Sequence, residues 1–223
     1  MKKYVIIVAG GAGTRMKTDL PKQFLLLGKM PVLMHTIAQF YKYDSALKII
    51  VVLPKYQINF WDSLCTQHKF SIGHKVVNGG KTRYHSVQNG LNLVPNESLV
   101  AIHDGVRPLV SKKVIADSFI VAEKEGSAIA AITLKDSIRK IEGHKTVSKN
   151  RKEYYLVQTP QTFKSALLKM AYSQTALNKH FTDDASVFEA SQENVTLIAG
   201  DYKNIKITTP EDLLIAQALQ NNF

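Results

Sequence analysis

The sequence predicts an α/β protein with a twisted, mostly parallel sheet flanked by helices, and three observations lead to this prediction. Short apolar segments rich in β-branched residues alternate along the chain with longer segments of helical periodicity. The apolar segments are continuous, as expected for strands covered on both faces. A polar, basic stretch at about 135–163 interrupts the alternation, and we expect it to form a β-arm that protrudes from a single domain spanning 1–223.

The strands are predicted from short apolar runs that end at glycine, proline or polar residues. The first, YVIIVA, runs into a glycine-rich turn, and the second, LKIIVVL, is ended by Pro54. The predicted strands are 4–9, 47–53, 74–80, 99–105, 127–134, 195–200 and 204–209.

The helices are predicted from apolar residues at helical spacing. The last helix has Thr209 as its N-cap, Pro210 in the first helical position and two acidic residues in the first turn. The predicted helices are 31–43, 58–68, 82–93, 111–125, 164–177, one that opens at TDDAS, and one within 208–219.

The net charge of +11 is concentrated in three segments of the chain. Residues 1–30 sum to +5, residues 69–85 to +4 and residues 135–153 to +4, so the remaining chain is slightly acidic. No segment has five consecutive like charges, which argues against a basic nucleic-acid tail. Three solvated faces would explain the clusters, but converging clusters would form a cleft for phosphorylated small molecules.

Composition excludes several protein classes. The chain is 45% hydrophobic and 21% charged, as in a globular protein rather than a disordered or fibrous one. The single cysteine, Cys65, excludes a disulfide framework and a cysteine-based zinc finger. No apolar run approaches the ~20 residues of a membrane span. We therefore expect a cytoplasmic protein that binds neither membrane nor nucleic acid.

The first candidate site follows the first strand and reads AGGAGTR, from Ala9 to Arg15. Glycines allow a sharp turn and let backbone N–H groups approach a phosphate, at the strand end where α/β sheets bind ligands. The turn is neither a P-loop nor a dinucleotide fingerprint, and alone it could be structural. Arg15 and Lys22 strengthen the functional interpretation, because two nearby cations could bridge a triphosphate.

Two further motifs follow later strands. The segment NGGKTRYHSV exposes backbone groups that could read the edge of a base, although a plain strand–turn–helix connection is the alternative. In HDGVRP, Asp104 stands at a strand end, where one carboxylate with substrate phosphates can hold Mg²⁺. Arg107 could clamp a phosphate, whereas a salt-bridged turn is the structural alternative.

The fourth motif, NIKITTPED, places Lys206 between two isoleucines. On a strand its side chain points away from theirs, so in a central strand Lys206 must face the cleft or be paired. On an edge strand it would face water instead.

Together and in this order, the motifs resemble the 2-C-methyl-D-erythritol 4-phosphate cytidylyltransferase family. The resemblance extends from Val5 to Ala218, and the set is specific although no single motif is. The motifs are AGGAGTRM, PKQF, GGKTRYHSV, HDGVRP, LKDSIRK, QTPQTF, TDDAS and NIKITTPED. The resemblance implies a Rossmann-like nucleotidyltransferase fold whose β-arm exchanges across a homodimer. It implies that CTP and methylerythritol phosphate give CDP-methylerythritol and pyrophosphate, with Mg²⁺, in the non-mevalonate isoprenoid pathway.

The resemblance also implies roles for individual residues. Arg15, Lys22 and Lys206 would be catalytic, and Asp104 would hold Mg²⁺ or the ribose side. The nucleotide would be bound by Ala9, Gly10, Gly11, Ala12, Gly13, Gly80, Ser86, Asp104 and Gly105. The sugar phosphate would be bound by Arg107, Ser137, Arg151, Thr159 and Asp183, with Arg151 and Thr159 from the partner's arm.

The chain departs from the family pattern at three places. Gly105 replaces a common alanine, and Ser137 replaces a common threonine while keeping the hydroxyl. The arm reads SKNRKEYY, so Lys149 is an alternative to Arg151 as the arm cation.

Three other functions are compatible with parts of the sequence. A ribitol-5-phosphate cytidylyltransferase would share the CTP loops and differ in the sugar pocket. A nucleic-acid-binding module would need basic stripes with interleaved aromatic residues, which are missing here. A catalytically inactive regulator would not need Arg15, Lys22, Asp104 and Lys206 together.

Overall fold

A computed structural model describes residues 1–11, 16, 20–175 and 181–220 of the chain. Helices cover both faces of a seven-stranded sheet in these residues. The helices are α1 (Val32–Tyr43), α2 (Ile58–Gln67), α3 (Arg83–Leu91), α4 (Lys112–Glu125), α5 (Ser165–Gln174), α6 (Asp184–Ala190) and α7 (Pro210–Gln220). The strands are β1 (Lys2–Val8), β2 (Leu26–Leu27), β3 (Met30–Pro31), β4 (Lys48–Leu53), β5 (Lys75–Asn78), β6 (Ser98–Asp104), β7 (Ser127–Thr133), β8 (Ile138–Glu142), β9 (Lys145–Lys149), β10 (Tyr155–Lys164) and β11 (Leu197–Ala199).

The order of the central sheet confirms the predicted mostly parallel α/β class. The strands lie in the order β11-β7-β10-β6-β1-β4-β5, and only β10 runs antiparallel to its neighbours, β6 and β7. The register aligns the carboxyl ends of the central strands, with Val8 opposite both Val52 and Asp104. This edge therefore gathers the loops that follow β1, β4, β5 and β6.

Apolar cores lie on both faces of the sheet because alternate residues of each buried strand point to opposite faces. Val5 and Ile7 of β1 belong to the core beneath α1, α2 and α4, whereas Ile6 belongs to the core beneath α3, α5 and α6. Among the described residues, no helix combines the length and the apolar character needed to cross a membrane.

Two sequence predictions of secondary structure are wrong. Residues 204–209, predicted as a strand, form an extended loop held by single bonds such as Ile207 N–H to the Val106 carbonyl at 2.9 Å. The predicted arm also extends too far, because Tyr155–Lys164 is a strand of the central sheet. The arm proper is the hairpin of β8 and β9, which pair with each other and not with the central sheet.

The close packing of α3 on β1 predicts a stability effect. A Cβ added at Gly90 would lie 2.8 Å from Ile6 Cγ2, which is buried and cannot retreat, so we expect Gly90→Ala to lower the unfolding free energy by about 1–3 kcal/mol. Urea denaturation monitored by circular dichroism measures this change. Gly73→Ala is the matched control, because nothing lies within 4 Å of a Cβ there. Equal stabilities of the two variants would contradict the packing interpretation.

Candidate functional site

A cleft of about 240 Å³ lies at the carboxyl edge of the sheet. It brings together residues from all four candidate motifs, although these are separated by up to two hundred positions in the sequence. Gly11, Lys22, Gly80, Ser86, Asp104 and Lys206 all line it. The motifs therefore converge in space, and two of the three charge clusters contribute to the cleft, whereas residues 135–153 do not line it.

The glycine-rich turn begins at a fixed point of the backbone. The Ala9 N–H donates to the Val52 carbonyl at 3.0 Å, and the Ala9 carbonyl accepts from Gln23 Nε2 at 2.9 Å. Gly10 and Gly11 follow and line the cleft. The predicted site residues Ala12, Gly13 and Arg15 lie outside the described part of the chain.

Lys22 enters the cleft from a short 3-10 turn that spans Lys22–Phe24. Phe24 anchors this turn, because its ring packs edge-on against Phe60 at 5.2 Å and stacks near Trp61 at 6.1 Å. The Lys22 side chain passes 3.8 Å from the position of a Cβ on Gly11. The residue is only 9% exposed, so the fold holds a lysine beside the glycine turn rather than in open solvent.

The second turn is closed by a hydrogen-bonded serine. The Gly80 N–H donates to Ser86 Oγ at 3.1 Å, and Ser86 Oγ donates to the Thr82 carbonyl at 2.9 Å. A Cβ at Gly80 would lie 2.3 Å from His85 Cβ, so only glycine fits. Ser86 thus shapes the turn besides lining the cleft.

A charged centre forms around Asp104 at the end of β6. Its Oδ2 accepts from Arg107 Nε at 3.2 Å and from Lys206 Nζ at 3.1 Å. Burial alone would raise the pKa of Asp104, but Lys206, Arg107 and Arg83 outweigh it and hold the pKa well below its usual range. Asp104 is therefore a carboxylate at physiological pH.

The loop that carries Lys206 is fastened to the same centre. Arg107 donates to the Asn204 carbonyl at 2.7 Å, and Asn204 Nδ2 donates to the Thr159 carbonyl at 2.8 Å. Thr159 Oγ1 in turn accepts from the Asp104 N–H at 3.0 Å. Lys206 consequently reaches the cleft from a loop and not, as predicted, from a strand.

Arg83 is a cleft residue that the sequence reasoning did not select. Its guanidinium donates to Asp184 Oδ2 at 2.6 Å, and Tyr172 Oη donates to Asp184 Oδ1 at 2.6 Å. Burial alone would lower the pKa of Arg83, but the negative charge of Asp184 outweighs this effect and raises the pKa above its usual value. The sequence could have indicated this role, because Arg83 directly follows the Thr82 N-cap within the motif that was predicted to contact the base of the nucleotide.

The predicted sugar-phosphate residues are divided between two places. Arg107 and Thr159 contact Asp104. The prediction that Thr159 comes from the partner's arm is wrong, because Thr159 lies in β10 of the central sheet and binds Asp104 of its own chain. Ser137 and Arg151 are exposed on either side of the hairpin, where Arg151 donates to the Lys135 carbonyl at 2.5 Å. Lys149, the alternative arm cation, pairs with Ile138 at the root of the hairpin. Neither Ser137 nor Arg151 lines the cleft of its own chain.

Asp183 is the N-cap of α6, and both of its carboxylate oxygens accept hydrogen bonds. Its Oδ1 accepts from the Ser186 N–H at 3.0 Å as the helix cap, and its Oδ2 accepts from Gln161 Nε2 at 2.9 Å. The same Gln161 accepts through Oε1 from the Asp184 and Ala185 N–H groups. In this structure, therefore, Asp183 supports α6 rather than lining the cleft.

The donor set suits a magnesium ion held mainly by substrate. Among the described residues, no cluster of three histidine, cysteine or acidic side chains could hold a metal. Asp104 offers Oδ1, which takes part in neither of the two ion pairs at Oδ2. One carboxylate completed by phosphate oxygens is a usual magnesium environment.

His103 lies behind the charged centre and is fully buried. Its Nε2 faces the Arg107 carbonyl at 3.2 Å and therefore donates to it, and its ring packs edge-on against Phe40 at 4.9 Å. Burial lowers the pKa of His103 to about 4. The neutral imidazole is thus a support of the Asp104–Arg107 turn.

This low pKa predicts a pH-dependent contribution to stability. The unfolded chain binds the His103 proton near pH 6.5, so the contribution is complete above that pH and decreases as the pH falls toward about 4. We expect His103→Gln, which keeps a donor but does not titrate, to reduce the loss of unfolding free energy between pH 7 and pH 5 by about 2 kcal/mol. Urea unfolding at both pH values measures it, and identical losses for wild type and variant would refute the assignment.

Known proteins match this chain along its whole length. A sequence model of the 2-C-methyl-D-erythritol 4-phosphate cytidylyltransferase family matches residues 3–222. The protein of that name from Bacteroides thetaiotaomicron is 53% identical to this chain, and the alignment covers 98% of this chain and 100% of the relative. The protein of that name from Azobacteroides pseudotrichonymphae is 52% identical, and the alignment covers 98% of each chain.

Solved structures agree with the sequence comparisons. The 4-diphosphocytidyl-2C-methyl-D-erythritol synthase of Anaerococcus prevotii superposes with a TM-score of 0.85 at 30% identity, covering 99% of this chain and 96% of the other. The 2-C-methyl-D-erythritol 4-phosphate cytidylyltransferase of Thermus thermophilus gives 0.83 at 30% identity, with 99% and 100% covered. The chain belongs to the 2-C-methyl-D-erythritol 4-phosphate cytidylyltransferase family.

Proposed function

We propose that this enzyme transfers the cytidylyl group of CTP to 2-C-methyl-D-erythritol 4-phosphate, releasing pyrophosphate and forming CDP-methylerythritol. The observation that carries the proposal is the cleft, which Lys22, Arg83 and Lys206 line together with the carboxylate of Asp104. Relatives about half identical over the whole chain bear the name of this activity. This favours methylerythritol phosphate over ribitol phosphate as the acceptor, and an enzyme over a nucleic-acid-binding module.

The chemistry needs positive charge more than it needs a base. A phosphate monoester is already an anion at neutral pH, so its oxygen attacks the α-phosphorus of CTP without prior proton removal. The new bond joins that oxygen to the α-phosphorus, while the bond to the bridging oxygen of the β-phosphate breaks and pyrophosphate leaves. The protein must bring two polyanions together and stabilise the charge on the transferring phosphoryl group.

The cleft suggests how the residues divide this work. Lys22 stabilises the transition state at the α- and β-phosphates. The family resemblance assigns the same role to Arg15, and it assigns the binding of the triphosphate to residues 9–13. Gly80 and Ser86, which line the cleft, contact the cytidine together with Gly105. A Cβ on Gly105 would lie 2.8 Å from Ala9 Cβ, so Gly105 also allows the loop after β6 to pack closely on Ala9. Lys206 and Arg107 hold the sugar phosphate beside Asp104, and Thr159 completes the pocket.

Magnesium is the cofactor we propose, held by Asp104 and by the triphosphate of the substrate. When bound it would neutralise phosphate charge beyond what the lysines and arginines supply. The pKa of Asp104, held well below its usual range, supports this role because the carboxylate stays ionised.

We also propose a homodimer in which the arm of one chain completes the cleft of the other. Ser137 and Arg151 flank the arm at its base, where both are exposed and neither lines the cleft of its own chain. A row of half-exposed apolar side chains leads from the arm into β10, as an interface would require. These residues are Tyr154, Tyr155, Leu156 and Val157. A cytoplasmic location is consistent with a single cysteine and phosphorylated substrates.

A panel of acceptors tests the reaction. We expect pyrophosphate release with CTP and methylerythritol 4-phosphate, and at least about tenfold less release with ribitol 5-phosphate or glycerol phosphate, because an acceptor whose hydroxyl groups do not match the polar groups of a site leaves those groups unpaired. A coupled phosphate assay in the presence of Mg²⁺ measures the rates. A preference for ribitol phosphate would overturn the proposed acceptor.

Replacement of Lys22 tests the proposed transition-state role. We expect Lys22→Ala to lower kcat by at least about 100-fold with a folded protein, because the lost charge is needed most at the transition state. Lys29→Ala, an exposed lysine of the same basic segment, is the matched control and should keep normal turnover. Near-normal kcat in Lys22→Ala would refute the assignment.

A further inference from the structure

Two buried glutamines meet beneath the glycine turn. Gln23 follows Lys22 in the 3-10 turn and is 1% exposed, and Gln57 lies just before α2 and is 5% exposed. Gln23 Nε2 donates to the Ala9 carbonyl at 2.9 Å and to Gln57 Oε1 at 2.8 Å. Gln57 lies outside every motif that pointed to the function.

The Ala9 carbonyl determines the orientation of both amides. A carbonyl only accepts, so the Gln23 atom facing it must be the NH₂ group, which has two protons and directs the second to Gln57. Gln57 must then present its oxygen to Gln23 and its own NH₂ elsewhere, and Gln57 Nε2 lies 3.5 Å from Tyr56 Oη. Each amide therefore has one allowed orientation, and a glutamate at 23 could not make both bonds.

This pair holds two parts of the cleft at once. The Ala9 N–H donates to the Val52 carbonyl of β4, and the Ala9 carbonyl accepts from Gln23, so both backbone groups of Ala9 are held. Gln23 is the neighbour of Lys22 in a three-residue turn, so its hydrogen bond to the Ala9 carbonyl ties the backbone that carries the lysine to the glycine turn. Gln57 limits rotation of the Gln23 amide, because it is the second acceptor of the Gln23 NH₂ group.

We propose that Gln57 is a positioning residue, which sets the spacing between the glycine turn and Lys22 by orienting Gln23. The inference rests on the proposed cytidylyl transfer and deepens it. Gln57 touches no substrate in this proposal and acts through Gln23. Its loss would then reduce the transition-state stabilisation by Lys22 more than the binding of the sugar phosphate.

Variants of Gln57 separate positioning from simple packing. Gln57→Met keeps the length and removes the acceptor, whereas Gln57→Glu keeps an oxygen toward Gln23. We expect Gln57→Met to lower kcat about tenfold with an unchanged KM for methylerythritol phosphate, and Gln57→Glu to retain kcat within about threefold. Gln67→Met, an exposed glutamine of α2, is the matched control and should behave as wild type.

The reactivity of Lys22 supplies a second measurement that needs no turnover. If Gln57 holds the lysine turn, acylation of Lys22 by an N-hydroxysuccinimide ester, followed by peptide mass spectrometry, should be several-fold faster in Gln57→Met than in wild type or Gln57→Glu. Should Gln57→Met not fold, Gln57→Ala replaces it, because water can then satisfy the Gln23 amide without holding it.

Two results would overturn the inference. One is a normal kcat and normal Lys22 acylation in Gln57→Met or Gln57→Ala, even with lowered thermal stability. The other is an equal loss in the Met and Glu variants, which would indicate side-chain shape rather than the acceptor. If the wild-type protein releases no pyrophosphate from CTP and methylerythritol phosphate, the proposed function fails, and the acylation rates alone decide the role of Gln57.

Discussion

The ionised carboxylate of Asp104 is the constraint on which the cleft depends. A buried charge is costly unless partners compensate it, and here Arg107 and Lys206 both bind the same oxygen. Neither cation can be placed independently, since Arg107 also binds the Asn204 carbonyl and thereby holds the loop of Lys206. The charged centre is thus a closed set of contacts, and each member requires the others to stay in position.

The antiparallel strand β10 makes this arrangement possible. It pairs with β6 through Gln161 and Ile102, so the segment before Gln161 arrives beside the carboxyl end of β6. Thr159 there binds the backbone of Asp104, and Gln161 supports the start of α6. A wholly parallel sheet would bring the end of a strand to this edge, but not a strand that enters it from the arm.

The sequence predicted the parts of this protein that depend on local pattern. Continuous apolar runs identified the parallel strands, and glycine turns after strands identified the edge where the cleft lies. The strand prediction for residues 204–209 is wrong because isoleucines alternating with polar residues resemble a strand, whereas contacts with Val106 and Thr159 determine the path of this segment. Arg83 and Gln57 were missed because their partners, Asp184 and Gln23, are distant in sequence.

The hairpin of β8 and β9 is joined to the central sheet at one end, and this determines which of its residues a rotation would displace. It grows from β7 and β10, two neighbouring strands that are still paired where Thr133 lies opposite Tyr155. Its five-residue strands extend roughly 16 Å at about 3.3 Å per residue. The hairpin is therefore attached to the central sheet at its base, and β10 continues from this base to Thr159. A rotation of the hairpin about this base would displace its tip much further than Thr159, which lies four residues along β10 from Tyr155.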